Sequence, residues 1–200
     1  MSTVDAKAPR GPARDGGQTR QRILAEALRL FTAKGFAQTT TRDIAHAAGI
    51  GDASMYRHFP SKEALVRELF LDGYTAYGAW LREAAGQGGP VGDRIDRIVR
   101  GLCALFDADP VRFRFLLINQ HDHLAHLPEG APNPVDILRG VIADGIRAAE
   151  IPDRNVELMT AAVMGVVLQP AVAKIYGRLD APFGAMAEEI VAACLRVLRA

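Results

Sequence analysis

The sequence predicts an all-α fold built as a small N-terminal helical domain followed by a larger helical one. Three observations carry this. Apolar residues recur at helical spacing along nearly the whole chain, no stretch alternates with period two for long, and Gly/Pro breaks divide the chain into helix-sized lengths. Two hundred residues at 49% hydrophobic and 24% charged are enough to bury a core, and no segment repeats.

Residues 1–17 mix Pro, Gly, Arg and Asp with almost no large apolar side chain. They bury too little to offset the entropy of ordering, so a mobile tail is expected, and the absence of an apolar stretch argues against a signal peptide. Over 18–34, Ile23, Ala27, Leu30 and Phe31 form an amphipathic stripe, and Gly35 is placed to end it as a left-handed cap. Thr40 and Asp43 have capping-box spacing at the start of a short helix, 41–48, which Gly49 closes. A third short helix, 52–59, stops at Pro60. Ser61 can cap a long fourth helix, 62–83, whose Val66, Leu69, Phe70, Tyr77 and Trp80 or Leu81 keep one apolar face up to the break Gly86-Gln87-Gly88-Gly89-Pro90. Further helical patterns fall at 92–107, 110–127, 134–149, 153–178 and 182–199.

The net charge of +1 conceals an asymmetry: nine Lys/Arg stand against five Asp/Glu up to residue 60, and fifteen against eighteen beyond it. Only the N-terminal end is suited to meet a polyanion. Cys103 and Cys194 sit among apolar helix formers, not in a C-x-x-C pair, and read as buried free thiols of a cytoplasmic protein. The longest uncharged run, 158–173, is shorter than a bilayer span and is expected to be a buried helix, with no membrane association.

Three short helices within forty residues, the second and third joined through Ala48-Gly49-Ile50-Gly51, fit a helix-turn-helix. Gly49 supplies the positive φ, Ile44 and Ala45 point inward, and 52–59 would enter the major groove. The literal residues are more specific: Gly35-Phe36, then Thr39-Thr40-Thr41-Arg42-Asp43-Ile44-Ala45, Ala48-Gly49-Ile50, and Met55-Tyr56-Arg57-His58-Phe59-Pro60-Ser61-Lys62-Glu63-Ala64-Leu65. Over some fifty residues this resembles the DNA-binding domain of the TetR-like transcriptional regulators.

The resemblance implies residue roles. Thr39, Thr40, Thr41 and Arg42 would take a phosphate at the start of the second helix. Tyr56, His58 and Lys62 would hold the backbone, Tyr56 with its ring packed and its hydroxyl on phosphate. Base reading would fall to Gly51, Asp52, Ala53, Ser54 and Arg57, with Arg57 suited to guanine. Asp52, where relatives often carry a basic or hydroxyl residue, would either read a cytosine amino group or cap the recognition helix. Phe59 is core.

The resemblance also divides the chain into a tail (1–17), a DNA-binding domain (18–68) and a helical ligand-binding and dimerisation domain (69–200). The expected partners are double-stranded operator DNA, a small-molecule effector, and a second copy of the chain joined through the last two helices. No cofactor, metal or enzymatic activity is expected. The dimer faces would be Val156, Met159, Val163, Val166 and Val167 on one helix and Ile190, Val191, Cys194 and Val197 or Leu198 on the other, with Pro170 kinking the first. Candidate pocket residues are Tyr77, Trp80, Phe106, Phe113, Leu117, His121, His123 and Met164.

The segment Asn119-Gln120-His121-Asp122-His123-Leu124-Ala125-His126 is the sharpest anomaly of the second part. Three readings stand: pocket lining, a polar helix end, or a metal site in which Asp122, His123 and His126 share a helix face. The leading function is a homodimeric repressor released from a palindromic operator by a largely apolar ligand. The alternatives are a metal-dependent hydrolase on the His121–His126 cluster, or an interaction protein that keeps the headpiece without binding DNA.

Overall fold

The computed structural model describes residues 15–200, apart from the side chains of Asp15 and His121. The tail expected over 1–17 therefore lies largely outside the described residues, and its last three residues are not tail at all: α1 runs Asp15–Lys34. Helices α2 (Thr41–Ala47), α3 (Asp52–His58), α4 (Lys62–Gly86), α5 (Val91–Ala108), α6 (Pro110–His123), α7 (Pro134–Arg147), α8 (Val156–Ile175) and α9 (Ala187–Arg199) follow, with no strand among the described residues. The chain divides into two compact units, Met1–Leu65 and Val66–Ala200.

In the first unit the helices end where local chemistry ends them. Gly35 takes φ +85° and Gly49 φ +64°, the left-handed region open to glycine without steric cost. Thr40 and Asp43 form the reciprocal capping box at α2, and the Ser61 hydroxyl accepts from the Ala64 amide at 3.1 Å to start α4. Ile23, Ala27, Ile44, Ala45, Met55, Phe59 and Leu65 are buried.

The second unit buries one continuous apolar cluster in which α5 packs on α7 and α9, and α8 on α7 and α9. Phe106 is its aromatic centre, with ring centroids 5.5 Å from Phe113 and 4.9 Å from Phe183. Phe183 opens a 3-10 turn, Phe183–Met186, that precedes α9 where the sequence predicts a helix from 182. The Asp107 carboxylate accepts from the Phe183 and Gly184 amides at 2.8 and 2.7 Å, tying that turn to α5. Both cysteines are buried and free, and burial pushes each thiol up to about 11.

Two expectations are corrected here. Met159, Val163, Val167, Ile190, Val191, Cys194 and Leu198, read as dimer faces, are buried within the second unit's own core. Only Val156, Val166 and Val197 of that set stay half-buried. In addition, α8 is not a fully buried helix. It is 20 residues long and apolar, with length and composition sufficient to cross a membrane, yet most of it is not buried. Leu158 (69% exposed), Ala161 and Gly165 stand uncovered on one side, and the helix passes through Pro170.

Candidate functional site

In the first unit α3 is anchored by Met55, which is fully buried, so the helix turns Asp52, Ala53, Tyr56 and Arg57 to solvent. Ser54 and His58 are half-buried. Alongside, α2 presents Thr40, Thr41 and Arg42, and the two helices line an open recess with Asp52 and Tyr56. The Tyr56 hydroxyl lies 3.2 Å from the Thr41 hydroxyl, so the two helices offer paired hydroxyls at one spot. Tyr56 is 55% exposed, and the packed ring expected for it is not what the fold provides.

Asp52 also departs from expectation. The N-cap of α3 is Gly51, with no side-chain cap, and the Asp52 carboxylate instead meets Arg42 Nε at 3.3 Å. Both partners are well exposed, so the pair adds under about 1 kcal/mol to stability, and its main effect is to offset the charge of Arg42. Thr39 is fully buried and its hydroxyl donates to the Gly35 carbonyl at 2.8 Å, which removes its side chain from any surface role.

Lys62 Nζ donates to the Phe36 and Thr39 carbonyls at 2.9 and 3.0 Å and lies 4.0 Å above the Phe36 ring. Its ammonium therefore braces the α1–α2 turn through hydrogen bonds and a cation–π contact. Arg20 stacks over the Phe59 ring at 4.4 Å, a contact for which the sequence gives no signal beyond a basic residue in an amphipathic helix.

The capping box has a pH consequence. The Thr40 amide, then Lys34 at 2.9 Å, then the Thr40 hydroxyl hold the Asp43 carboxyl down at about 2, against an ordinary 3.8. A depressed folded-state pKa contributes stability above the unfolded value that is lost as pH falls through the folded one. The α2 cap should therefore persist at pH 4 and fail between about 3.8 and 2, as read by amide chemical shifts of α2. Asp43→Asn should abolish that acid transition; its survival in the variant would assign it elsewhere.

In the second unit two adjoining apolar hollows, of about 40 and 60 Å³, share Tyr77, Pro134, Met164 and Leu168 in their linings. The first continues along Leu81, Ile95, Val99 and Leu138, the second along Tyr74, Phe113, Leu117 and Gln120. Of the residues predicted for a pocket, Tyr77, Phe113, Leu117 and Met164 line these hollows. Trp80 and Phe106 do not. A Cβ built on Gly101 would come within 2.2 Å of the Trp80 indole, so that ring packs tightly against α5, and Phe106 is core.

His123 is likewise outside both linings: its ring tilts on Phe70 at 5.4 Å, and burial depresses its pKa. The predicted contact of His121 lies outside the described residues. Helix α6 ends at His123 and gives way to a 3-10 turn, Leu124–His126, so Asp122, His123 and His126 do not share the α-helical face a metal site there needs. The described residues contain no cluster of three such ligands.

The chain matches the family model for bacterial regulatory proteins of the tetR family over residues 23–69. It is 31% identical over 167 residues to the transcriptional repressor KstR2 of Mycolicibacterium smegmatis, covering 76% of this chain and 77% of that one. This chain belongs to the TetR family. Proteins of solved structure share its fold across nearly the whole length. FadR of Bacillus halodurans, a fatty acid degradation regulator, superposes with a TM-score of 0.75 at 15% identity, covering 94% and 97% of the two chains. FadR of Bacillus subtilis, solved in complex with stearoyl-CoA, gives 0.73 at 17% identity, covering 90% and 99%.

This TetR-family chain is thus a DNA-binding transcriptional regulator and not an enzyme, which sets aside the hydrolase reading of the histidine segment. Sequence reasoning omitted Tyr74, Leu116, Pro134 and Leu168 from the second hollow and reached Gln120 only as part of the polar 119–126 segment. For Gln120 the signal was the polar run that ends α6. The others sit on apolar faces whose direction periodicity leaves open.

Proposed function

We propose that the chain is a cytoplasmic homodimeric repressor that binds a palindromic operator and leaves it when a largely apolar molecule occupies the second unit. In this reading residues 18–68 bind DNA and 69–200 bind the effector and the second copy. The observation that carries it is the way α3 turns Tyr56 and Arg57 outward from buried Met55, beside the exposed Arg42 of α2. A helix anchored on one side and polar on the other is what a major groove admits. Thr40, Thr41, Arg42, Tyr56 and His58 would hold phosphates. Gly51, Asp52, Ala53, Ser54 and Arg57 would face the bases. Lys62 would act chiefly by holding the α1–α2 turn in place, with its charge as a secondary attraction.

Anisotropy on the duplex flanking the chain's own gene, at stated salt, tests this. Arg57→Ala should weaken specific binding by about 1–3 kcal/mol and relax one operator position. Asp52→Ser, by freeing Arg42, should strengthen binding to unrelated duplex several-fold and steepen its salt slope by about 1. Near-wild-type specific affinity for both Arg57→Ala and Tyr56→Ala would reject the assigned face.

The small hollows support the release half of the reading. An effector that occupies more than about 40 or 60 Å³ within these walls would displace them, so its binding would favour a different conformation of the second unit. Because α4 continues from the first unit into the second, it is the covalent route for that change, and two recognition helices about 34 Å apart would lose their match to the duplex.

A further inference from the structure

We propose that the two hollows of the second unit are one elongated site, divided by Met164, that takes the uncharged carbonyl portion of an apolar effector, a ketone, ester or thioester and not a free carboxylate, with Tyr77 donating the orienting hydrogen bond. This rests on the effector-binding reading above.

The chemistry of the walls carries it. Among the described residues, neither lining contains an Asp, Glu, Lys, Arg or His side chain. The polar groups are Tyr74, Tyr77 and Gln120. Tyr74 is engaged, its hydroxyl donating to Asn133 Oδ1 at 3.4 Å, while that oxygen also accepts from the Val135 amide at 3.0 Å. Tyr77 lines both hollows, and its hydroxyl has no hydrogen-bond partner among the described residues. Its ring is held in place, stacked on Trp80 and set edge-on to Phe113 with centroids 5.8 Å away in each case.

Burial pushes the Tyr77 hydroxyl far above its ordinary value, so it stays protonated and can donate. A donor fixed in an apolar wall favours a ligand that brings an acceptor, since the unmade bond is the costly state. A carboxylate placed there would lose its hydration with no cation to replace it. A neutral carbonyl satisfies Tyr77 without that loss. Met164 shares both walls, and its unbranched thioether can change rotamer at little cost, which would open the partition between the hollows.

The test uses the full chain and the neutral fluorescent ketone 6-propionyl-2-(dimethylamino)naphthalene, whose emission moves to the red when its carbonyl accepts a hydrogen bond. The competitors are 2-undecanone and decanoate, which carry the same nine-carbon tail on the carbonyl and differ by a methyl against an ionised oxygen. Displacement by 2-undecanone is expected at about tenfold lower concentration than by decanoate, the size of one hydrogen bond and a desolvation difference. Tyr77→Phe should shift the bound probe's emission to the blue and weaken 2-undecanone several-fold, and Met164→Ala should tighten it. Decanoate competing as well as the ketone, or unchanged emission in Tyr77→Phe, would overturn the proposal while leaving the effector pocket standing. Failure of wild-type protein to bind the probe at all would overturn both. The competitor pair is read on wild-type protein, so the result does not depend on any variant folding.

Discussion

Gly165→Glu should convert the protein to a monomer at micromolar concentration and lower its operator affinity by about 10²–10⁴, the factor lost when two linked half-site contacts become one. Gly165 lies mid-helix in α8, exposed, and a Cβ built on it meets nothing within 4 Å. The substitution therefore leaves the protomer's packing alone, and Glu is a better helix former than Gly by up to about 1 kcal/mol. It sits on an uncovered stripe with Leu158 and Ala161 at i−7 and i−4, and since most of the predicted dimer face is core, we propose that this side of α8 meets the second copy. There the variant would bring two carboxylates together across a two-fold axis in apolar surroundings. Sedimentation velocity and anisotropy on the same sample read both effects. A persisting dimer with unchanged affinity would place the interface on another surface.

Phe183→Ala is expected to destabilise the second unit by about 3–5 kcal/mol, the range for removing a fully buried aromatic ring. Phe183 has no exposed surface, its ring lies 4.9 Å from Phe106, and its amide is fixed by Asp107. The carboxylate would keep the backbone turn in place, so the vacated space cannot close fully and the cavity cost is added to the lost burial. Denaturant unfolding with an unchanged slope measures it. A loss under about 1 kcal/mol would mean that the 3-10 turn collapses onto α5 when the ring is removed.

What the sequence determined by itself is what a few neighbouring residues decide among themselves. The Thr40–Asp43 capping box, the Gly35 and Gly49 turns, the Ser61 cap and the Pro60 stop depend on backbone sterics and hydrogen bonds spanning four or five residues. They place α2, α3 and the start of α4 to within a residue, and the same local string carries the family resemblance. Asn155, which caps α8 through the Leu158 amide at 3.0 Å, is an equally local signal, but periodicity alone carried that helix back to 153 where the cap starts it at 156.

Only the tertiary structure decided what each apolar face touches. Periodicity identifies a face but not what covers it, so Met159, Val163, Ile190 and Cys194 could be read as a dimer surface although they belong to the core. Helix α8 gives no phase at all, because it is apolar on every side. Trp80 became a packing residue through α5, Phe106 through the turn at Phe183, and Tyr77 a cavity wall through α5 and α6, contacts that periodicity along one helix does not reveal. Polar side chains follow the same rule. Thr39 disappears into the headpiece, Asp52 turns to Arg42, and Lys62 reaches 26 residues back to the Phe36 carbonyl, since each settles on a partner that only the folded chain brings within reach.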